Sequence, residues 1–208
     1  MTVNGKIASL GDRADPRTDC IELDGQPVST AQPAVYLMLH KPRGFVTTMS
    51  DEQGRRTAAQ LVSDCGARVY PVGRLDLSSE GLLLFTNDGA LAKYLTHPSH
   101  QAEKTYLVWV TDCTIASLDK IQRSIVLDGK PIAPPDVRCL RRDDRQALLR
   151  ITIREGRNRQ IRRMCDAAGM HVNRLRRVSE GGVELGDLPC GKWRYLTDAE
   201  IRMLKAGM

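Results

Sequence analysis

The alternation of apolar and polar residues is most regular in two segments of the chain. Between Ala147 and Arg154 every second side chain is apolar, and between Lys104 and Thr111 the side chains of Tyr106, Val108 and Val110 share one face. A period of two is typical of a β-strand. Further strands are predicted at the short apolar runs Val35–Leu39, Phe45–Thr48, Val69–Val72, Gly81–Thr86 and His171–Val178.

A helical period appears between Asn158 and Ala168. Its apolar stripe falls at i, i+3, i+4 and i+7, on Ile161, Met164, Cys165 and Ala168, which is the spacing of one buried helix face. Shorter helices are predicted at Ala90–Leu95 and from about Asp198 onward. Many short strands and a few helices, without regular βαβ alternation, predict an α+β fold on a mixed, mostly antiparallel sheet with flanking helices.

The first 32 residues differ from the rest of the chain. They are rich in Gly, Asp and Pro and end in the linker-like segment Ser29–Pro33. Short strands are predicted at Val3–Ile7 and Cys20–Leu23, with turn signals at Asn4-Gly5 and Asp24-Gly25. The sequence therefore predicts a small N-terminal piece, residues 1–32, before a main domain of residues 33–208.

The composition and patterns of the sequence indicate the cellular compartment of the protein. No segment approaches the roughly 18 consecutive apolar residues of a membrane span, and the N-terminus lacks the apolar core of a signal peptide. The six cysteines include no Cys-x-x-Cys pair, so we expect reduced thiols rather than disulfides or a zinc site. These features predict a cytoplasmic protein without a membrane partner.

Positive charge is concentrated in one part of the sequence. Between Arg138 and Arg177 there are thirteen arginines, no lysine and four carboxylates, while the whole chain has a net charge of +6. Arginine binds phosphate through two N–H groups at once and stacks on bases, whereas lysine presents a point charge. The pattern favours a nucleic-acid partner, although a solvated surface of ordinary ion pairs is the alternative.

Two segments carry residues suited to chemistry. Asp76 lies between Gly73 and Gly81, on a loop that directly precedes an apolar run, and loops held by rigid elements are common places for functional side chains. A turn-forming or capping aspartate is the other interpretation. The segment from Arg154 to Arg163 holds five arginines in ten residues, either for phosphate binding or as the solvated face of an amphipathic helix.

These segments resemble three signatures of a known enzyme family. Gly73–Leu83, Lys104–Tyr106 and Glu155–Met164 are similar, in order and spacing, to segments of the bacterial ribosomal pseudouridine synthases that modify single uridines in rRNA. The likeness continues through Arg174–Arg194 and covers roughly residues 34 to 205. It implies the pseudouridine synthase fold, with a central active-site cleft.

The resemblance also implies roles for individual residues. Asp76 matches the catalytic aspartate, Tyr106 the tyrosine that stacks on the target base, and Arg162 the basic residue that pairs with the catalytic carboxylate. Tyr106 is equally plausible as a core aromatic residue. Ile161 matches the apolar position beneath the uracil. The remaining substrate-binding candidates are Arg74, Lys104, Arg154, Arg157, Asn158, Arg159, Gln160 and Arg163.

The implied substrate is structured rRNA with a uridine flipped out of its stack. Large-subunit 23S rRNA is preferred, with small-subunit 16S rRNA as the alternative, either free or in an assembling particle. No metal or organic cofactor is implied, and a monomer is expected. Residues 1–32 resemble only the end of the RNA-binding module of ribosomal protein S4, so we expect a naturally short or truncated module.

Three other functions compete with this interpretation. The main one is a non-catalytic RNA-binding factor for ribosome assembly on the same fold, which composition does not distinguish from an enzyme. A metal-dependent nuclease would need a cluster of ligands, and Glu80 and Asp88 do not supply one. A DNA-binding regulator would need a helix-turn-helix pair, and none is evident.

Overall fold

The computed structural model describes residues 1–15, 18–28, 33–123 and 125–208. The chain divides into two compact units, Met1–Ala34 and Val35–Met208. Residues 29–32, most of the predicted linker, lie outside the described residues.

The N-terminal unit contains a small antiparallel sheet. Its strands are β1 (Thr2–Val3), β2 (Lys6–Ile7), β3 (Ile21–Leu23) and β4 (Gln26–Pro27), in the order β2-β1-β3-β4. Two-residue turns at Asn4-Gly5 and Asp24-Gly25 join neighbouring strands, and all four turn residues have φ between 51° and 76°. Positive φ at both positions is what a type I′ hairpin turn requires, so both predicted turns are confirmed.

The second unit is built on one large sheet. The described residues of this unit form eleven strands: β5 (Tyr36–Lys41), β6 (Tyr70–Val72), β7 (Glu80–Thr86), β8 (Lys104–Thr111), β9 (Val126–Leu127), β10 (Lys130–Pro131), β11 (Asp136–Asp143), β12 (Gln146–Ile153), β13 (His171–Glu180), β14 (Val183–Glu184) and β15 (Trp193–Tyr195). The main path runs β11-β12-β8-β13-β7-β5-β15, β6 and β14 pair with β7 and β13, and β9 and β10 form a separate hairpin. Only the β13–β7 pair is parallel among the described strand pairs, so the predicted mixed, mostly antiparallel α+β fold is confirmed.

Helices flank this sheet. They are α1 (Gly89–Thr96), α2 (Ile115–Gln122), α3 (Gln160–Ala167) and α4 (Asp198–Lys205), with 3₁₀ turns at Ala58–Val62 and Pro98–His100. Asp88 begins α1 by accepting a hydrogen bond from the Leu91 N–H at 3.0 Å, which satisfies one of the free donors at a helix start. Within the described ranges, no helix is long and apolar enough to cross a membrane.

Apolar residues are buried on both faces of the sheet. Every residue of β7 is buried, because Leu83 and Phe85 pack into a core shared with α3, while Leu82 and Leu84 pack into a second core that includes residues of α1 and α4. The sequence of a strand that is covered on both faces is a continuous apolar run rather than an alternation of apolar and polar residues. This rigid strand begins directly after the loop that carries Asp76.

Gly81 makes the parallel contact between β7 and β13 possible. Its φ is +109°, and a Cβ atom placed on it would lie 2.2 Å from the Arg177 carbonyl oxygen and 2.7 Å from the Arg177 nitrogen. Both obstacles are backbone atoms, which do not move aside as the end of a flexible side chain does. Only glycine therefore fits between these strands.

Several local predictions are confirmed by the structure. The strand Lys104–Thr111 has the predicted bounds, the apolar row of Ala147–Arg154 is buried in β12, and the apolar stripe of α3 is buried, including Ala168 beside it. The strand predicted at Phe45–Thr48 is wrong, because only Val46 forms a bridge, to Thr57.

Several elements were not predicted from the sequence, among them α2 and β11. Helix α2 has few buried side chains, and its Ile115 is 73% exposed. Strand β11 is an edge strand whose residues are almost all exposed, so neither face selects apolar residues. In both elements the hydrophobic period that reveals a helix or a strand is absent.

Replacing Gly81 by Ala should destabilise the protein by more than about 3 kcal/mol, because the added Cβ collides with backbone and the residue has positive φ. The matched control is Gly89→Ala, in the first turn of α1, where nothing lies within 4 Å of the added Cβ. We expect that variant to be neutral or about 0.5 kcal/mol more stable. Urea unfolding of both variants checks this, and equal stability would contradict the close-packing interpretation.

Candidate active site

Asp76 lies on the loop between β6 and β7, and this loop is anchored on both sides of it. The Thr47 hydroxyl donates to the Leu75 carbonyl at 2.7 Å and accepts from the Leu75 N–H at 3.2 Å. The Ser79 N–H donates to the Asp76 carbonyl at 3.0 Å, and an Arg162 N–H donates to the Ser78 carbonyl at 3.3 Å. The backbone around Asp76 is therefore held by contacts from outside the loop as well as within it.

The strongest anchor of the loop is a buried lysine. Lys41 is 0% exposed, and its Nζ donates to the carbonyls of Pro42 and Asp76 at 3.1 Å each and to that of Ser79 at 2.9 Å. Three carbonyl acceptors match the three protons of the ammonium group. Burial lowers the pKa of Lys41 from 10.5 to about 8, although the negative charge of Asp76 acts in the opposite direction.

The Asp76 side chain opens into a cavity of about 520 Å³. The apolar part of its wall includes Leu75, Tyr106, Ile161 and Leu175, all of them buried. Its charged wall residues are Arg74, Asp76, Lys104, Arg154, Glu155, Arg157, Arg159, Arg177 and Glu180. A concave apolar site with a few convergent polar groups is typical of a binding or catalytic pocket.

A buried ion pair lies in the wall of this cavity. Arg177 and Glu180 are 2% and 0% exposed, and Arg177 Nη2 lies 3.1 Å from Glu180 Oε2. Arg177 Nε also donates to the Leu82 carbonyl at 2.7 Å. A buried charge requires such partners, since desolvation without them would be costly.

Tyr106 lies beside this ion pair. Its hydroxyl interacts with Arg177, and burial raises the pKa of Tyr106 while the positive charge of Arg177 opposes the rise. The raised pKa keeps the phenol neutral at physiological pH. Tyr106 both packs in the core and lines the cavity. Its position is therefore compatible with both interpretations from the sequence, a core aromatic residue and a residue that contacts the base.

The predicted ion pair between Arg162 and Asp76 is not formed. Arg162 is 8% exposed and donates instead to the carbonyls of Val172 and Ser78, at 3.1 and 3.3 Å. Burial lowers the pKa of Arg162, and the nearby charges of Arg159 and Asp76 act in opposite directions. Arg162 thus supports the backbone of the Asp76 loop.

The guanidinium that approaches Asp76 belongs to Arg159, with its Nη1 3.8 Å from Asp76 Oδ2. Arg159 precedes α3 in a left-handed conformation, with a φ of 50°, and its side chain lines the cavity. Sequence analysis placed Arg159 among the RNA contacts, because a positive φ at a non-glycine residue leaves no signal in the sequence.

The other predicted site residues are divided between the cavity and its surroundings. Arg74, Lys104, Arg154, Arg157, Gln160 and Ile161 line the cavity of Asp76, and Asn158 lines a neighbouring one that shares Arg74 and Asp76. Arg163 lines neither; its guanidinium pairs with Asp128 at 2.7 Å. For Arg163 a role in RNA contact is therefore not supported by its position.

Several of these lining residues are already engaged with the protein, including Arg154, whose guanidinium pairs with Glu103 at 2.7 Å. Arg157 donates to the carbonyls of Leu127, Lys130 and Pro131 and so holds the β9–β10 hairpin. Gln160 is bonded to Glu155 and to the Arg157 backbone. Lys104 lies 3.8 Å from Glu180, and burial lowers its pKa.

Sequence reasoning missed Lys41, Arg177 and Glu180 as site residues. Arg177 was counted only within the arginine-rich segment. Its position two residues after the inward-facing Leu175 in β13 was the available signal, since alternate residues of a strand share a face. Among the described residues, no group of His, Cys, Asp and Glu could hold a metal ion.

Comparison with known proteins gives a consistent result. A family model described as RNA pseudouridylate synthase matches residues 35–167. The chain is 38% identical to an uncharacterized RNA pseudouridine synthase of Aquifex aeolicus, over 98% of this chain and 83% of that protein. It is 38% identical to the ribosomal large subunit pseudouridine synthase B of Bacillus subtilis, over 99% and 85%.

Solved structures agree with the sequence comparison. A crystal structure of a pseudouridylate synthase is similar to this chain with a TM-score of 0.76 and 32% identity, over 98% of this chain and 87% of that one.

Replacing Lys41 by Met should change how stability depends on pH. The folded state binds the Lys41 proton more weakly than the unfolded state, so the unfolding free energy should rise between pH 8 and 10.5, by up to about 3 kcal/mol, as the folded protein releases that proton. The Lys41→Met variant should lack this rise. Urea unfolding across that range tests it, with the exposed Lys120→Met as control; parallel curves for all three proteins would refute it.

Proposed function

The chain belongs to the RNA pseudouridylate synthase family, and from that premise we propose that it isomerises a single uridine of ribosomal RNA with Asp76 as the essential carboxylate. Large-subunit rRNA is the proposed substrate, which is supported by the name of the similar protein of Bacillus subtilis. The observation that carries the proposal is the Asp76 carboxylate at the mouth of an apolar cavity, on a loop anchored through its backbone.

The reaction explains why one carboxylate in such a cavity is sufficient. The N1–C1′ bond of uridine breaks, the uracil rotates, and C5 forms a new bond to C1′; C5 then loses its proton and N1 gains one, either directly or through solvent. The product is an isomer, so no redox partner or second substrate is needed. An ionised carboxylate can add to the electron-poor carbon or accept the proton, and an amide at that position can do neither.

The cavity suits a nucleotide that has left its stack. Its volume of about 520 Å³ lies in the range of small-molecule sites, and a base within a helix would not reach Asp76. We therefore propose that the target uridine flips into the cavity, with its uracil packed between Tyr106 and Ile161. Extrusion requires unstacking energy of a few kcal/mol, and contacts of the RNA backbone with Arg74 and Arg159 would offset it.

Replacing Asp76 by Asn should abolish pseudouridine formation, lowering the rate by at least about 10³-fold. Unmodified large- and small-subunit rRNA transcripts are incubated with enzyme and EDTA, and pseudouridine is mapped by carbodiimide labelling and reverse transcription. One new stop in large-subunit rRNA is expected with the wild type and with the exposed control Asp187→Asn. Stops that persist with Asp76→Asn would exclude the proposed role, and stops only in small-subunit rRNA would overturn the proposed substrate.

Arg159 and Arg163 form a matched pair of arginines, one lining the cavity and one outside it. We expect Arg159→Gln to lower kcat/KM by about tenfold or more, since a charged contact with substrate contributes about 1.5–3 kcal/mol. Arg163→Gln should lie within about twofold of the wild type, because its exposed ion pair contributes little. Single-turnover rates against RNA concentration measure both, and equal effects would argue against a specific role for Arg159.

A further inference from the structure

One face of the sheet, away from the Asp76 cavity, carries an unusual row of side chains. The row crosses the neighbouring strands β11, β12, β8 and β13. Arg138 lies opposite Arg150, Arg150 opposite Leu107, and Leu107 opposite Arg176. Arg138 and Arg150 are exposed, and Leu107 and Arg176 are half-buried. We call this row, together with the adjacent Trp109 and Arg174, the arginine face.

The arginine face lowers the stability of the sheet when no partner is bound. Like charges directly opposite each other on neighbouring strands destabilise a sheet, and Arg138 and Arg150 are such a pair. Arg138 lies 3.6 Å from Asp136, but within the described part of the chain Arg150 and Arg176 form no ion pair. The unfavourable placement of Arg138 opposite Arg150 is easier to explain if an anionic partner binds to the arginine face.

The neighbouring row adds a flat aromatic surface. The guanidinium of Arg174 lies 4.6 Å from the centre of the Trp109 ring and forms an ion pair with Glu80 at 2.6 Å. Arg174 is thereby held in one orientation, with part of its fork still exposed. Arginine and aromatic side chains side by side on an open sheet are the usual chemistry for nucleic-acid backbone and bases.

A second cavity connects this face with the proposed active site. It has a volume of about 470 Å³, and its lining includes Arg138, Arg150, Thr152 and Arg154. Arg154 also lines the cavity of Asp76. A continuous basic path therefore runs from the Asp76 cavity, past Arg154, to the arginine face. The carboxylates along it, Asp136 and Glu103, each pair with one arginine of the path.

We propose that the arginine face binds the sugar–phosphate backbone of the same RNA molecule, beyond the strand whose uridine enters the Asp76 cavity. This proposal rests on the proposed function and extends its substrate contacts to a second surface. RNA fits better than an acidic protein segment because the cationic groups are all arginine, whose planar forks suit phosphate. Phosphate contacts of this kind position a substrate without reading its sequence.

The test is the substitution Arg150→Glu, which has opposite consequences for folding and for RNA binding. The new carboxylate would face Arg138 across the strands and replace a repulsion with an attraction, so the unfolding midpoint should stay equal or rise. The Kd for an rRNA fragment that contains the modified site should rise on the order of tenfold, and the slope of log Kd against log salt should fall by about one or more.

The matched control is Arg202→Glu, an exposed arginine on α4 with the same change of charge. Its Kd and its single-turnover rate should both remain within about twofold of the wild type. A wild-type Kd and salt slope for Arg150→Glu, or equal weakening by both variants, would overturn the proposal. If Arg150→Glu unfolds, Arg150→Gln is measured by the same criteria.

These readouts separate this proposal from the proposed function. Wild-type protein that forms no pseudouridine in any rRNA would refute the proposed function, whatever the binding data show. Normal pseudouridine formation with Arg150→Glu binding as tightly as the wild type would refute the arginine face alone.

Discussion

The parallel contact between β7 and β13 is the constraint on which the site depends. It places Gly81 between two buried cations, because Gly81 pairs with Lys41 on one side and with Arg177 on the other. Arg177 in turn pairs with Tyr106. One row across four strands thus contains the anchor of the Asp76 loop, the buried ion pair and the aromatic wall of the cavity. If residue 81 carried a Cβ atom, it would collide with the backbone of Arg177 and these groups could not come together.

The two buried cations of this row, Lys41 and Arg177, are balanced by fixed partners. Desolvation disfavours charge at Lys41 and Arg177, and the protein compensates with three carbonyls for the first and with a carbonyl and Glu180 for the second. Removing one partner of a buried pair is strongly destabilising, by about 3–5 kcal/mol. Such groups are therefore held in place before substrate arrives, which is the condition for effective electrostatic stabilisation.

The sequence predicted the fold class, β8, β12, the face of α3 and the enzyme family, since each has a clear period or motif. Family membership also decides for an enzyme over the assembly factor that composition allowed. The sequence could not show that Arg159 rather than Arg162 approaches Asp76, because that depends on a left-handed residue before α3. Nor could the sequence predict the buried row of Lys41, Gly81, Tyr106 and Arg177. These residues are far apart in the chain and become neighbours only through the register of the strands.

The way in which Lys41 holds the Asp76 loop has an evolutionary consequence. Its acceptors are main-chain carbonyls, which every amino acid supplies. The hydrogen bonds from Lys41 to the loop therefore do not require a particular side chain at position 76, and selection can alter the reactive group there while this anchor is kept. New chemistry could arise on this framework by single replacements, because the architecture that presents the side chain and the side chain itself can be inherited separately.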